Sequence, residues 1–173
     1  VSVTGENRIL AHFGLKQLNV NPREGLLAMI QLSGLEPNHL TIDDIVFKIG
    51  PRLNAAGRMS SGKKAVDLMV EKDFNRALEL AENIDKENDD RKKDDKEMTE
   101  EANNIVTNLE DGENRHAIVL YNAEWKRGVI GIVASRLTEV FYKPAVVLTK
   151  TGELATGSAR SVSGFDVYKA IES

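Results

Sequence analysis

Three short stretches of the chain hold residue types able to grip a charged ligand. In GSARS, Gly157–Ser161, a hydroxyl (Ser158) and a guanidinium (Arg160) stand among small residues. A planar fork of N–H donors beside a hydroxyl and unhindered amides suits a phosphate group. The same pentapeptide also reads as a surface turn with an exposed Arg. In GPRLNAAGRM, Gly50–Met59, the polar residues Arg52, Asn54 and Arg58 surround Ala55, Ala56 and Gly57. Small side chains admit a ligand or another backbone, and two Arg supply charge-assisted donors; the alternative is a tight interhelical turn with two solvated Arg. RGVIGIVASRL, Arg127–Leu137, sets Gly128 and Gly131 at the mouth of a predicted helix that follows a strand. Free N–H groups at such a start favour an anion, although glycines there also serve packing alone. Neither GxGxxG nor GxxxxGK[ST] is complete, so a nucleotide-binding loop is not supported.

Other chemistries find little to work with. His12, His39 and His116 are isolated, and no HxxxH, DHH or DxD pattern occurs. The carboxylates of Asp85–Glu101 are interleaved with Lys, which marks a solvated helix rather than a metal cage. Ser158 and Ser161 have no His nearby in sequence to act as base, which argues against a Ser hydrolase. Without Cys there are no disulfides or thiolate metal sites. Trp125, the single tryptophan, is placed beside Lys126 and Arg127 either to stack a base at a strand edge or to cover the core. Arg136 reads as a surface ion-pair partner, and Asp166 as a cap for the last helix.

Charge narrows the choice of ligand. The net charge is −4, but Glu71–Glu101 alone carries 13 acids and 7 bases, leaving the flanks mildly basic. A local phosphate cleft is compatible with that distribution and a broad basic face is not. Aromatic residues make up only 5% of the chain, so base-stacking platforms are few. No run of about 18 apolar residues predicts a membrane span, and the N-terminus lacks the basic-then-apolar order of a signal peptide. A cytoplasmic protein is expected, and the absence of an initiator Met suggests a piece of a longer chain.

The elements that must position these residues follow from periodicity. Apolar spacing predicts helices over Glu6–Leu18 and Gly25–Leu32. A third is capped by Thr41 and stops at Gly50-Pro51, and a fourth runs through Gly62–Val70. From Phe74 the apolar residues recur every three or four positions to Ile84, and they resume at Met98, Ala102, Ile105, Val106 and Leu109. Between them DKENDDRKKDDKE, Asp85–Glu97, has no apolar residue, Gly or Pro. It reads either as a charged linker or as the solvated middle of one long helix; the absence of breakers and the mixed charges favour the helix. Glu110–Asn114 predicts its stop. Buried strands are predicted at Ala117–Tyr121 and Ala145–Leu148 and a third strand at Leu154–Ala159, with helices at Gly128–Val140 and from Phe165. A strand–helix–strand unit of this length implies right-handed parallel pairing. The expected fold is α/β overall: a helical part over residues 1–84, a connector helix and linker over 85–114, and a partial α/β domain with a mainly parallel sheet over 115–173.

Taken in order, these motifs resemble those of the RecJ branch of the DHH phosphoesterases, bacterial exonucleases specific for single-stranded DNA. The resemblance runs through TGENRIL, GPRLNAAGRM, the charged helix with Glu87, Asn88 and Arg91, WKRGVIGIVASRL, Lys143-Pro144 and GSARSVSGFD. It implies that residues 1–84 end a catalytic DHH domain and that 115–173 begin its DHH-associated domain. It implies a metal-dependent 5′-to-3′ exonuclease of recombination and repair, using Mn²⁺ or Mg²⁺. The Asp and His ligands of such a protein precede TGENRIL, so this chain is expected to carry no catalytic or metal residue. Arg58 and Arg52 would contact phosphate, while Ser158 and Arg160 would hold a 5′-terminal phosphate. Asn54, Gly57, Lys126, Gly128 and Gly157 would line the cleft. Implied partners are 5′-phosphorylated single-stranded DNA and repair proteins such as single-strand-binding protein or a helicase. Many relatives have His where this chain has Lys126, so a role resting on that His does not transfer. A DHH phosphodiesterase acting on oligoribonucleotides or cyclic dinucleotides, and a non-catalytic DNA-binding relative, are the alternatives.

Overall fold

The computed structural model describes residues 3–109 and 115–172. The chain forms two compact units, Val1–Asp90 and Arg91–Ser173. The stop expected at Glu110–Asn114 lies outside the described residues.

The first unit is helical: α1 (Gly5–Val20), α2 (Glu24–Leu32), α3 (Ile42–Asp44), a π-helical segment (Ile45–Ile49), α4 (Gly50–Met59), α5 (Lys63–Val70) and the start of α6 (Phe74–Thr107). Its core joins Met29, Ile30, Leu40, Ile49, Leu68 and Ile84 with several alanines, among them Ala56, Ala77 and Ala81. Alanine there lets helix backbones approach closely. α2 and α5 come especially close at Gly25, where a Cβ would stand 1.8 Å from the Leu68 carbonyl oxygen. Asn19 ties the segment before α3 to α1: its amide donates to the Leu40 carbonyl at 3.0 Å, and its oxygen accepts from the Leu40 N–H at 2.7 Å.

Thr41 and Asp44 form a reciprocal capping box, as Thr41 predicted. The helix does not stop at Gly50-Pro51. It passes through the π-helical segment and continues as α4, so GPRLNAAGRM is a helix and not a turn. Pro51 lacks an N–H and would crowd the carbonyl four residues back in a regular α-helix. The wider π turn relieves both problems: the Gly50 N–H reaches back five residues to the Ile45 carbonyl, and Pro51 then sits at the start of α4, where proline is tolerated.

Asp73 caps α6, its carboxylate accepting from the Arg76 N–H at 2.9 Å. The helix runs unbroken through the polar stretch, as expected, but that stretch is solvated only on its outer side. Asn88 and Asp95 are buried and carry on the three- and four-residue stripe of Ala81, Ile84, Met98, Ala102 and Val106.

The second unit contains β1 (Ile118–Tyr121), α7 (Ile130–Phe141), β2 (Ala145–Thr151), β3 (Leu154–Arg160) and α8 (Val167–Glu172), with the C-terminal part of α6. β1 and β2 pair in parallel across α7, as the strand–helix–strand order requires. β2 and β3 are antiparallel, so the sheet is mixed rather than mainly parallel. The turn at Thr151-Gly152, with Gly152 at φ +59°, is far too short for a crossover and enforces a hairpin. Ala145, Val147 and Thr149 are buried on one face of β2, as are Ile130, Val133, Ala134 and Leu137 of α7, and α7 packs on β2 and β3. Asp166 receives the Lys169 N–H at 3.2 Å and so caps α8 as predicted.

Candidate phosphate-binding site

The register of β3 decides where GSARS points. Ser158 pairs with Val147 and Arg160 with Ala145. Since successive side chains alternate faces, Ser158 and Arg160 share the α7-covered face with those buried residues. There they meet the first turns of α7. A Cβ on Gly131 would stand 3.1 Å from the Ser158 Oγ and 3.3 Å from the Arg160 Nη2. Arg160 donates through Nη1 to the Ser158 Oγ at 3.0 Å and to the Ala159 carbonyl at 2.7 Å. Through Nε it donates to the Ser135 Oγ at 3.1 Å. Ser135 donates in turn to the Gly131 carbonyl at 3.1 Å. The Nη2 nitrogen is left with two donors and no protein acceptor among the described residues. Arg160 is exposed and Ser158 half-buried, so a guanidinium and a hydroxyl face solvent together, an arrangement matched to a phosphate.

Gly157 has a packing role as well. A Cβ there would fall 2.4 Å from the Leu148 side chain across the hairpin. Gly128 is half-buried ahead of α7, and Lys126 and Arg127 are exposed with no ion pair among the described residues. Trp125 is buried and covers the core: its indole N–H donates to Glu101 at 2.8 Å, and its carbonyl accepts from the buried Thr149 hydroxyl at 2.6 Å. It therefore offers no stacking face. Arg136 does form the ion pair expected of it, and its partner is the buried Asp95 at 2.8 Å.

In the first unit, the LNAAGRM residues separate by helical phase. Ala55 and Ala56 are fully buried, while Asn54, Gly57 and Arg58 are exposed on the opposite side at three- and four-residue spacing. Arg58 has no hydrogen bond or ion pair among the described residues, and a Cβ on Gly57 would meet nothing closer than the Gly62 Cα at 3.8 Å. Arg52 is engaged elsewhere. Its Nε donates to Asp85 at 2.6 Å and its Nη1 to the Lys48 carbonyl at 2.7 Å, tying α4 to α6. Glu87 adds a second tie, accepting from Ser60 at 2.9 Å and pairing with Lys64. The sequence reading missed these anchoring carboxylates and missed Ser135. The spacing of four between Gly131 and Ser135 was the available signal, since it puts them on one helix face.

Among the described residues, no group of three or more His, Asp or Glu is placed to hold a metal ion, and no helix is long and apolar enough to cross a membrane.

Residues 114–173 match the DHHA1 domain. Over 99% of its length the chain is 40% identical to the single-stranded-DNA-specific exonuclease RecJ of Bacillus subtilis, of which it spans 22%. It is 32% identical to the corresponding Escherichia coli protein, spanning 30% of it. The crystal structure of Thermus thermophilus RecJ in complex with Mg²⁺ superposes on the whole chain with a TM-score of 0.85 at 28% identity, using 26% of that structure. The Mn²⁺ complex gives 0.84. In sequence and in fold the chain is thus similar to the RecJ exonucleases along essentially its whole length, and it spans about a quarter of theirs.

Proposed function

We propose that this chain is the substrate-holding part of a RecJ-type, metal-dependent 5′-to-3′ exonuclease on single-stranded DNA, acting in cytoplasmic recombination and repair. The observation that carries the reading is the Ser158–Arg160 pair. Two alternating residues of β3 are turned by register toward α7, with guanidinium donors unspent beside a glycine. Arg160 would bind two oxygens of a 5′-terminal phosphate, Ser158 would donate a further hydrogen bond, and Lys126 would contribute a point charge. On the first unit, Arg58 and Asn54 would contact backbone phosphates from the exposed face of α4. Gly57 keeps that face low enough for the strand to approach. Arg52, already bound to Asp85 and Lys48, serves to hold α4 in place and reaches phosphate only by giving up those bonds.

A divalent metal would supply an activated water and stabilise the leaving oxygen. On this reading the metal ligands would come from other parts of such a protein. The contribution of this chain is to hold the DNA end. Single-strand-binding protein or a helicase would deliver that end.

The test is binding of this chain to short single-stranded DNA with and without a 5′-phosphate, alongside a cleavage assay in Mn²⁺. The phosphorylated strand should bind about tenfold or more tightly, the worth of one charge-assisted hydrogen bond of ~1.5–3 kcal/mol, without being cut. Equal binding of the two strands would refute the end-phosphate assignment. Metal-dependent cutting would refute the placement of the metal ligands outside this chain.

A further inference from the structure

Arg160 could present its guanidinium to solvent in many rotamers, and only some of them aim donors at a phosphate held between β3 and α7. The Ser135 hydroxyl restricts that freedom. It accepts the Nε–H of Arg160 at 3.1 Å while its own proton is committed to the Gly131 carbonyl at 3.1 Å. A hydroxyl whose proton is fixed offers its lone pairs in a fixed direction. With Nε so held, and Nη1 divided between Ser158 and the Ala159 carbonyl, the donors left over are on the Nη edge. Nη2 lies against Gly131, where even a Cβ would come within 3.3 Å. One turn of α7 therefore supplies both the hydrogen bond that orients the guanidinium and the gap that keeps its outer edge open.

We infer that Ser135 is a positioning residue for the phosphate hook: it acts through Arg160, touches no substrate itself, and sets the preference for a 5′-phosphorylated end. Gly131 is its steric counterpart. This rests on the proposed phosphate role of Arg160, and the experiment separates the two.

The measurement is the ratio of kcat/KM on 5′-phosphorylated to 5′-hydroxyl single-stranded DNA, made in the whole exonuclease that contains this chain. Arg160→Ala should lower the ratio by about 10- to 100-fold, as for loss of a charge-assisted contact. Ser135→Ala should lower it by about 3- to 10-fold, as for loss of one orienting hydrogen bond. Ser135→Cys, close in size but a poor acceptor, should behave like Ser135→Ala and replaces it if the Ala variant does not fold. Ser135→Thr, which keeps the hydroxyl, should stay within about twofold of the parent, and Ser135→Ala should add less than about twofold in an Arg160→Ala background. A purely structural role would depress both substrates together and leave the ratio alone. An unchanged ratio in Ser135→Ala and Ser135→Cys, with Arg160→Ala still lowering it, overturns the role of Ser135 only. So does a Thr variant that falls with the Ala variant, or full multiplication of the Ser135 and Arg160 effects. An unchanged ratio in Arg160→Ala overturns the phosphate reading and this inference with it.

Discussion

Removing Arg136 should harm the second unit more than removing Asp95, although the two form one ion pair. The Asp95 side chain is 7% exposed and that of Arg136 49% exposed, with 2.8 Å between Nη2 and Oδ2. In Arg136→Ala a nearly buried carboxylate keeps, among the described residues, only the Thr99 hydroxyl, at 3.3 Å. Stranding a buried charge costs about 3–5 kcal/mol. The truncated Arg side chain opens a path for water, so the expectation is ~2–3 kcal/mol. In Asp95→Ala the half-exposed guanidinium turns to solvent, and the loss is about 1 kcal/mol, comparable to one net hydrogen bond. The double variant should cost less than the sum, because with Arg136 already gone the second change removes the stranded charge. Trp125, the only tryptophan, is buried in this unit, so its fluorescence in urea reports this unit's unfolding. With a slope of ~2 kcal/mol per molar urea, Arg136→Ala should lower the midpoint by about 1 M and Asp95→Ala by about 0.5 M. A larger effect for Asp95→Ala, or strict additivity, would refute the reasoning that burial asymmetry governs this pair.

Gly25→Ala should destabilise the first unit by ~3 kcal/mol or more, because the added methyl meets the Leu68 carbonyl and only backbone separation of α2 from α5 relieves it; hydrogen exchange of α2 and α5 amides should accelerate, and unchanged protection would contradict the packing. The Lys48 ammonium, then the Thr41 hydroxyl and N–H, hold the Asp44 carboxyl down from 3.8 to about 2. Its contribution to stability is therefore full above pH 3.8 and is lost as pH falls through about 2; a carboxyl NMR titration should place the midpoint near 2 and move it upward in Lys48→Ala. Arg58→Ala should weaken single-stranded DNA binding by a similar factor for every sequence and flatten the dependence on salt by somewhat less than one counterion; an unchanged slope would remove Arg58 from the backbone contacts.

Most of the elements were legible in the sequence because each carries one pattern: a period of 3.6 for the helices and short apolar runs for β1 and β2; the antiparallel pairing of β3 was not, since only the brevity of the Thr151-Gly152 turn decides it. Two departures share a cause. Gly50-Pro51 reads as a stop because proline is incompatible with a regular α-helix, but a single widened turn removes the conflict, and nothing in the residue types announces it. Asp85–Glu97 reads as solvated because it is polar throughout. Burial is decided by phase, and Asn88 and Asp95 occupy the phase set by Ile84 and Met98. A polar residue in that phase is accepted where a partner reaches it, as Arg136 reaches Asp95. That partner is 41 positions away, so no local pattern could supply it.

The same argument separates the two arginines of GPRLNAAGRM. Arg52 and Arg58 are six residues apart, about a third of a turn out of phase on a helix, and they do not share the one face of α4 that would meet a ligand. As a turn the motif would have allowed it; as a helix it forces a choice. Ala55 and Ala56 fix the inner side, and Asp85 draws Arg52 toward α6. Arg58 is left on the outer side with Asn54 and Gly57. Arg160 differs in that it is set by strand register: the pairing of Arg160 with Ala145 turns it toward α7, and slipping the hairpin by one residue would move it and Ser158 to the opposite face. The hook thus depends on a register set by the tight turn at Thr151-Gly152, in which Gly157 pairs with Leu148 and leaves room for its side chain.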